Sequence, residues 1–374
     1  MGENQQQSRG GDQVAVRAYG HSVHYFGGNS ESKSDRSKVR VRVMSQTIRE
    51  AIIDSGQVFI VGHQMMDFDC MGAALCMSRI AQRCERRTFV VSEGCSKDAQ
   101  LEDALRLYRD PLSLRHAFLS EDAALAQLQE NDLVIMVDHH APAQSCAQRL
   151  IDQAKRIIVI DHHRRSADYI DRSTLHYLES RASSASELVT EMLQYFDDSP
   201  RIPAFVCSAL LAGITVDTKH FAFNVGSRTF EAAGYLRKNG ADIGMIKQMF
   251  QDDMESFRAC SDTVRNAEIL PGGVALAVCE EETENAKLVA AKAADQLIDI
   301  RGIEAAFGLG RDGDVISVSG RSLGKINVQI ICERLGGGGH LTMAGAQLHK
   351  TNMDDARALV RKRIEEYLQE ANLK

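Results

Sequence analysis

One unbroken apolar run ends directly at three polar side chains, and this junction constrains the fold more than any other feature. Residues 157–160 read Ile-Ile-Val-Ile, and Asp161, His162 and His163 follow at once. An apolar β-branched run without polar alternation is typical of a strand buried on both faces, such as a central parallel strand. Ligand sites in open parallel sheets lie beyond the carboxyl ends of the strands. The sequence therefore predicts an α/β fold with a site at Asp161.

Two further apolar runs end in the same way. Residues 58–61 lead into one polar loop, and residues 133–137 lead into another. The polar residues that follow these two runs are His63, Asp67, Asp69, Asp138, His139 and His140. A single tip of this kind would be interpreted as a capped turn. Three such tips together predict that carboxylates and imidazoles meet at one edge of a parallel sheet.

The candidate metal ligands are carboxylates and imidazoles, without a thiolate. They are His63, Asp67, Asp69, Asp138, Asp161, His162, His163 and Asp217. Structural zinc sites favour closed cages of Cys and His, whereas mixed oxygen and nitrogen sites suit manganese or a related hard ion. Six or more ligands exceed the need of one ion, so the set favours two ions that share a bridging carboxylate. Paired ions of this kind clamp the attacking and leaving oxygens in phosphoryl hydrolysis.

Several of these residues also have simpler interpretations. Asp138 and Asp161 would serve equally to cap turns. His139 and His140 fit solvated loop positions, and we favour that interpretation for His140. His220 is expected to pack or hydrogen-bond near the site rather than to bind metal.

Composition restricts the domain count, the partners and the compartment. A chain of 374 residues predicts two domains, and a net charge of −7 gives no basic footprint for long nucleic acid. The nine cysteines form no CxxC pair, which indicates a reducing compartment. Cys70 and Cys76 are interpreted as ordinary buried cysteines. Without a signal peptide or an apolar run of spanning length, the polypeptide is expected to be soluble as it stands.

Alternating strands and helices predict two α/β domains. The first spans residues 45–225 around a mostly parallel sheet of about five strands, with residues 101–119 helical and broken near Pro111. Residues 226–264 form a helical connector. Residues 265–374 form a smaller α/β domain with a mixed sheet.

The smaller domain contains a second set of candidate residues around a glycine run. Residues 336–339 are four glycines, which let backbone N–H groups approach a phosphate closely. The guanidinium of Arg321 can make bidentate phosphate contacts. A glycine run alone would equally be a flexible connector. The candidate substrate-binding residues are Arg321, Ser322, Gly338, Gly339, His340 and Thr342.

Together these motifs resemble the DHH phosphoesterase family, named for the Asp-His-His seen here at residues 161–163. The similarity covers residues 58–348, and the glycine loop resembles the family's DHH-associated C-terminal domain. Three stretches are similar to the GdpP-type cyclic-di-AMP phosphodiesterases, a branch of the family: GITVDTKHF at 213–221, SGRSLGKINVQ at 319–329 and GGGGHLTMAGAQL at 336–348. The chain departs from the usual residues of that branch at Met66, at Cys70 and at residues 139–142.

The resemblance implies a manganese-dependent phosphodiesterase that hydrolyses cyclic-di-AMP to linear 5′-pApA by attack of a two-metal-activated hydroxide. Mg²⁺ or Co²⁺ would be alternatives to the two Mn²⁺ ions. The family pattern implies that Asp161 and His163 orient ligands or contact the phosphate, and that the active site lies in the cleft between the domains. It assigns one ion to His63, Asp67 and Asp138, and the other to Asp69, Asp138, His162 and Asp217.

Other functions stay open at this point: an oligoribonuclease or pAp phosphatase of the same family, or a cyclic-dinucleotide sensor without activity. Residues 1–44 resemble a linker and the tail of a degenerate GGDEF domain. The chain is therefore expected to be the cytoplasmic part of a longer protein with upstream PAS and membrane segments, anchored to the inner face of the cell membrane. A homodimer is expected from the family.

Overall fold

The computed structural model describes residues 15–19, 22–26, 38–97, 99–107, 117–196, 202–279, 283 and 285–371. The chain divides into two compact units, Met1–Gln251 and Asp252–Lys374. A hairpin of β1 (Ala15–Tyr19) and β2 (Ser22–Phe26) comes first, and the rest of the predicted linker and GGDEF remnant before Lys38 lies outside the described residues. Within the described ranges, no helix combines the length and apolarity needed to cross a membrane.

The first unit is built on a six-stranded sheet with only parallel neighbours, which confirms the predicted parallel α/β fold. After the hairpin, the strands of this unit are β3 (Gln57–Val61), β4 (Met65–Met66), β5 (Arg87–Glu93), β6 (Ser96–Lys97), β7 (Ala117–Ser120), β8 (Leu133–Val137), β9 (Arg156–Asp161) and β10 (Leu175–Leu178). The order in the sheet is β10-β9-β8-β3-β5-β7, while β4 pairs separately with β6. The three strands whose tips carry the candidate ligands, β3, β8 and β9, are therefore neighbours.

The helices of the first unit are α1 (Lys38–Ile53), α2 (Phe68–Arg83), α3 (Ala99–Leu107), α4 (Glu121–Leu125), α5 (Gln148–Gln153), α6 (Ala185–Leu193), α7 (Ala204–Asp217), α8 (Ser227–Lys238) and α9 (Ile243–Met249). Strand β3 explains why apolar runs without alternation form this sheet. Val58 and Ile60 belong to one buried apolar cluster, whereas Phe59 and Val61 belong to another. Because both faces of the sheet are covered, every position of the strand after Gln57 is apolar.

Two edge strands were not predicted. Residues 101–119 were expected to be helical, but within this range only the part of α3 up to Leu107 is helical in the described residues, and β7 begins at Ala117. Strand β10 lies at the opposite edge and pairs only with β9. Both strands have four residues and are partly exposed, so their pairing partners rather than their own sequences decide their conformation.

Close packing of α7 on α2 brings Asp217 towards Asp69. A Cβ at Gly72 of α2 would lie 2.8 Å from the carbonyl oxygen of Ala209 in α7. A Cβ at Gly213 of α7 would lie 2.7 Å from the Cα of Asp69. The two glycines thus allow the helices to approach at the point where each presents a carboxylate.

The second unit is the smaller one and has the mixed sheet that was predicted. The sheet itself is not smaller, because it has six strands like the first. Its strands are β11 (Glu268–Leu270), β12 (Val274–Val278), β13 (Ala305–Asp312), β14 (Val315–Ser322), β15 (Gly338–Gly339) and β16 (Met343–His349), in the order β11-β12-β13-β14-β16-β15. Only β12 and β13 pair in parallel. Its helices are α10 (Met254–Arg265), α11 (Ala286–Ile298), α12 (Val328–Glu333) and α13 (Met353–Glu370). The hairpin of β15 and β16 carries the glycine run.

Candidate metal centre

The adjacent strand tips bring the candidate ligands of the first unit together around Asp138. This residue follows β8 directly, and its backbone N–H donates to the carbonyl of Ile160 in β9. His63 follows β3, the other neighbour of β8. Asp217 is the last residue of α7.

One end of the cluster is formed by His63, Asp67 and Asp138. The Nε2 atom of His63 lies 3.3 Å from Oδ2 of Asp138 and 3.7 Å from Oδ1 of Asp67. Asp67 is also the N-cap of α2, where its carboxylate accepts the backbone N–H of Cys70 at 3.0 Å. The helix start therefore holds this carboxylate beside the histidine.

The other end is formed around His162. Its Nε2 atom lies 3.1 Å from Oδ2 of Asp217, 3.3 Å from Oδ1 of Asp138 and 3.9 Å from Oδ2 of Asp69. Asp69 is fully buried. Its two oxygens accept the backbone N–H groups of Ala185 at 2.7 Å and Ser186 at 2.8 Å, at the start of α6. A helix N-terminus thus stabilises this buried carboxylate.

Asp138 connects the two ends, because Oδ2 faces His63 and Oδ1 faces His162. Its backbone has φ +62°, a left-handed conformation that aspartate tolerates better than most residues. Strained backbone of this kind is typical of functional sites. One carboxylate thus faces an imidazole at each end of the cluster.

The electrostatics of the cluster favour a bound cation. Burial, followed by the charges of Asp138 and Asp217, raises the pKa of Asp69. Burial also raises the pKa of Asp217 to about 6, against the opposing effect of His162. Burial opposes protonation of His63, but Asp138 and Asp67 outweigh it and raise the pKa of His63 to about 10. A divalent ion would relieve this crowding of carboxylates.

Two orphaned atoms test whether the residues fit such an ion. Oδ1 of Asp138 and Nε2 of His162 are buried and lie 3.3 Å apart, yet neither forms a well-aligned hydrogen bond within the described part of the chain. Buried polar atoms are normally satisfied, and an ion is one of the accepted explanations when they are not. Ligand atoms of Asp69, His162 and Asp217 lie within 4.8 Å of one another. The donor set therefore fits a hard divalent ion.

His140 is not the solvated loop residue that we expected from the sequence. Its side chain is 3% exposed, and its Nδ1 atom is hydrogen-bonded to Asp161. The backbone N–H of Ser166 donates to its Nε2 at 3.0 Å, and its carbonyl accepts from Ile170. The segment after the Asp-His-His motif folds back over His140 and buries it, which the local sequence does not reveal.

His139 is also buried rather than solvated. Its Nδ1 donates to the carbonyl of Val137 at 2.8 Å, and burial lowers the pKa of His139 to about 4. The sequence signal that could have indicated the burial of both residues is the repetition of Asp-His-His at two neighbouring strand tips.

Asp161 orients His163 through hydrogen bonds. It belongs to neither of the two ends of the cluster described above. Its Oδ1 accepts both the backbone N–H and the Nδ1–H of His163, at 3.0 and 2.8 Å. Its Oδ2 faces His140, so both oxygens are occupied by imidazoles. His163 is 57% exposed and lies 3.6 Å from Asp138 through Nδ1. The hydrogen bond to Asp161 uses Nδ1 of His163, and Nε2 is the other ring nitrogen.

Cys70 brings a thiol close to the carboxylates, although the sequence predicted no thiolate among the ligands. Its Sγ lies within 4.8 Å of ligand atoms of His63 and Asp138. Burial, followed by the charge of Asp138, raises the pKa of Cys70, so it stays a neutral thiol. Cys70 and Cys76 are both fully buried, as predicted. His220 packs its ring edge-on to Phe250 at 5.9 Å.

In the second unit, two predicted substrate residues already have protein partners. Arg321 donates through Nε to Oδ1 of Asp295 at 2.6 Å and through Nη2 to Oδ2 at 3.3 Å. The hydroxyl of Ser322, a 1% exposed residue, donates to the carbonyl of Glu304 and accepts the N–H of Gly324. Either side chain would have to give up these hydrogen bonds within the protein before it could contact a substrate directly.

The glycine hairpin presents the other predicted residues. Gly338 and Gly339 form β15, and His340 follows as an exposed residue whose N–H donates to the carbonyl of Met343. Thr342 is partly exposed, and its carbonyl accepts the N–H of Ser322. The hairpin is thus an ordered element and not a flexible connector.

Three of the four glycines are needed by the fold itself. Gly336 has φ +84° and Gly339 has φ +144°, both disfavoured for other residues. A Cβ at Gly337 would lie 2.0 Å from the carbonyl oxygen of Gly345. A Cβ at Gly338 would meet nothing within 4 Å. Only Gly338 lacks a structural reason to be glycine.

This difference provides a matched pair of variants. We expect Gly337→Ala to lower the free energy of unfolding by about 1–3 kcal/mol through overpacking, whereas Gly338→Ala should change it by less than about 0.5 kcal/mol. If the N–H of Gly338 contacts a phosphate, Gly338→Ala should nevertheless weaken ligand binding. Urea unfolding and calorimetric titration measure the two effects. Unchanged binding in Gly338→Ala would contradict the predicted contact.

Comparisons with known proteins agree with both units. Residues 57–214 match the model of the DHH family N-terminal domain, and residues 272–366 match the DHHA1 domain. The chain is 38% identical over 362 residues to the cyclic-di-AMP phosphodiesterase GdpP of Geobacillus thermodenitrificans, and 37% identical over 360 residues to the cyclic-di-AMP phosphodiesterase PdeA of Listeria monocytogenes. Each alignment covers 96% of this chain and 55% of the relative, so the chain spans about half their length.

A solved structure supports the fold. An exopolyphosphatase-related protein from Bacteroides fragilis superposes with a TM-score of 0.74 at 20% identity, covering 87% of this chain and 96% of that one. The fold therefore recurs in another protein.

Proposed function

Since the chain belongs to the DHH family, with a DHH N-terminal domain followed by a DHHA1 domain, we propose that it is a manganese-dependent phosphodiesterase that hydrolyses cyclic-di-AMP to linear 5′-pApA. The observation that carries the proposal is Asp138, whose two oxygens face His63 and His162 at 3.3 Å each. The names of the two bacterial relatives support the choice of substrate.

The metal assignment follows the two ends of the cluster. His63, Asp67 and Asp138 would hold one ion, and the second would be held by Asp69, Asp138, His162 and Asp217. When bound, two divalent ions supply water of lowered pKa and neutralise phosphate oxygens. The hard, mixed donor set supports manganese, with Mg²⁺ or Co²⁺ as alternatives.

Asp161 and His163 would position the substrate. Asp161 holds Nδ1 of His163 at 2.8 Å and so fixes the orientation of the ring. Its charge, through this hydrogen bond, raises the pKa of His163 and favours the protonated ring. The exposed Nε2–H would donate to a phosphate oxygen beside Asp138.

The glycine hairpin would bind a phosphate and an adenine of the nucleotide. Gly339 and His340 are exposed, and Gly338 and Thr342 are partly exposed. Arg321 and Ser322 complete the proposed subsite, with Arg321 exchanging Asp295 for a phosphate oxygen. Backbone N–H groups next to an exposed imidazole are suited to an anion.

Turnover of three nucleotides tests the proposal. Cyclic-di-AMP, pApA and pAp are compared at one manganese concentration by chromatography of the products. We expect the highest kcat/KM for cyclic-di-AMP, with pApA accumulating. Faster release of AMP from pApA or of phosphate from pAp would favour an oligoribonuclease or pAp phosphatase. Calorimetric binding of cyclic-di-AMP without product, in excess manganese, would favour a sensor.

We also propose that the whole protein is a homodimer held at the inner face of the cell membrane, as the family resemblance implies. Sedimentation equilibrium of the present chain tests the dimer. A monomer at all concentrations would contradict assembly through this part of the protein.

A further inference from the structure

Two half-buried cysteines meet beside the His63 end of the metal cluster. Cys95 lies in the turn after β5, and Cys146 lies just before α5. The Sγ atoms of Cys95 and Cys146 lie 3.9 and 3.5 Å from the same carbonyl oxygen, that of Val91. The Sγ of Cys95 also lies 3.9 Å from the carbonyl oxygen of Cys146 itself. Residues 51 positions apart in sequence thus form a thiol pair.

The segment that carries Cys146 holds the loop that carries His63. The N–H of Cys146 donates to the carbonyl of Gly62 at 3.1 Å, and the hydroxyl of Ser145 donates to the same oxygen. The N–H of Gln64 donates to Gln144 at 2.7 Å. These bonds flank His63 on both sides. Any displacement of Cys146 therefore acts on the position of His63 relative to Asp138.

The pair differs from the other cysteines of the chain. Six cysteines are buried, and Cys84 is the remaining half-buried one. The side chain of Lys97 donates to the carbonyl of Cys95 at 3.0 Å, so a cation lies close to this thiol. The hydrogen bond from Cys146 and the charge of Lys97 lower the pKa of Cys95 against the effect of burial. Cysteines of this kind are the oxidation-sensitive ones.

We propose that Cys95 and Cys146 form a reversible disulfide when a hydroperoxide reaches them, and that this bond weakens metal binding at His63. The thiolate of Cys95 attacks one peroxide oxygen, the O–O bond breaks, and Cys95 becomes a sulfenic acid. The Sγ of Cys146 then attacks that sulfur, the S–O bond breaks and the S–S bond forms. For hydrogen peroxide, the two thiols lose two electrons and two protons, and two waters leave.

The geometry explains the expected effect on the metal. A disulfide needs its sulfurs about 2.05 Å apart and its Cβ atoms about 3.5–4.5 Å apart, so two thiols that contact the same carbonyl oxygen must move together to form one. The turn at Cys95 and the segment at Cys146 then shift towards each other. Disulfides in reducing compartments are transient and redox-sensing, which fits a reversible control. Formation of the disulfide does not depend on the proposed function, whereas the effect of the disulfide on metal binding rests on that function.

Thiol mapping tests the first part. The full chain is treated with one equivalent of hydrogen peroxide, free thiols are counted, and alkylated peptides are mapped by mass spectrometry. We expect the free thiols to fall from nine to seven, with a Cys95–Cys146 linked peptide and Cys84 still reduced. Cys84→Ser should behave like the wild type. Cys146→Ser should form no link and should leave Cys95 as a sulfenic acid that a diketone probe captures. Equal oxidation of Cys84, or an unlinked pair in the wild type, would overturn the disulfide.

Metal retention tests the second part. Manganese content is measured after dialysis of reduced, oxidised and re-reduced protein. We expect oxidation to cause loss of manganese that dithiothreitol and added manganese restore, and Cys95→Ser to keep its metal throughout. Equal retention in the oxidised and reduced states would show that the disulfide is no switch. A reduced protein that holds no manganese would overturn the metal effect and the proposed function, while the peptide map would still decide the disulfide.

Discussion

Asp138→Ala is expected to abolish metal binding at both ends of the cluster and to reduce kcat/KM by at least about a thousandfold. The reason is that one carboxylate faces both His63 and His162, and loss of metal removes several kcal/mol of charge stabilisation, with about 1.4 kcal/mol for each factor of ten. Elemental analysis and steady-state kinetics on cyclic-di-AMP measure the two losses.

Two further variants separate the charge of Asp138 from its backbone. Asn tolerates the left-handed conformation of this position better than Ala does, so Asp138→Asn should fold normally and still lose metal. Asp152→Asn removes an exposed carboxylate of the same unit and should keep full metal and activity. Full metal content in Asp138→Asn would refute the shared carboxylate.

His162→Ala is expected mainly to destroy kcat, whereas His340→Ala should mainly raise KM. His162 lies within 3.9 Å of three carboxylates in the metal cluster, so its loss acts on the reacting centre. His340 is exposed on the glycine hairpin. Loss of one charge-assisted phosphate contact there should cost about 1.5–3 kcal/mol, or roughly ten- to a hundredfold in KM.

Steady-state kinetics of both variants and of His349→Ala decide this division. His349 is an exposed histidine at the far end of β16 and serves as the matched control. An unchanged KM in His340→Ala would mean that the hairpin has no part in substrate binding. A His162→Ala enzyme with normal kcat would remove His162 from the metal site.

The core of the candidate site could be predicted from sequence because parallel strands obey a simple rule. Apolar runs such as residues 133–137 identify central strands, and the carboxyl ends of such strands lie at one edge of the sheet. The order β9-β8-β3 then makes Asp138, Asp161 and His63 neighbours. Residue type and position alone select eight candidate residues, and the family pattern reduces them to the six assigned metal ligands.

Other features depend on contacts between distant segments. The burial of His140 results from residues 166–170 folding back over it, and the partner of Arg321 comes from α11. The short edge strands form because a neighbouring strand offers free backbone groups. The sequence of four partly exposed residues does not reveal this pairing. Local pattern does not specify such pairings.

By itself, the sequence determined the parallel α/β class, the residues at the strand tips and the presence of the glycine run. Only the tertiary structure decided that Asp138 faces two histidines, that three glycines serve the hairpin itself, and that Cys95 meets Cys146. The physical reason is that periodicity reports burial and strand direction, which are local. Which side chains touch depends on strand order and helix packing, and these are settled by the free energy of the whole fold.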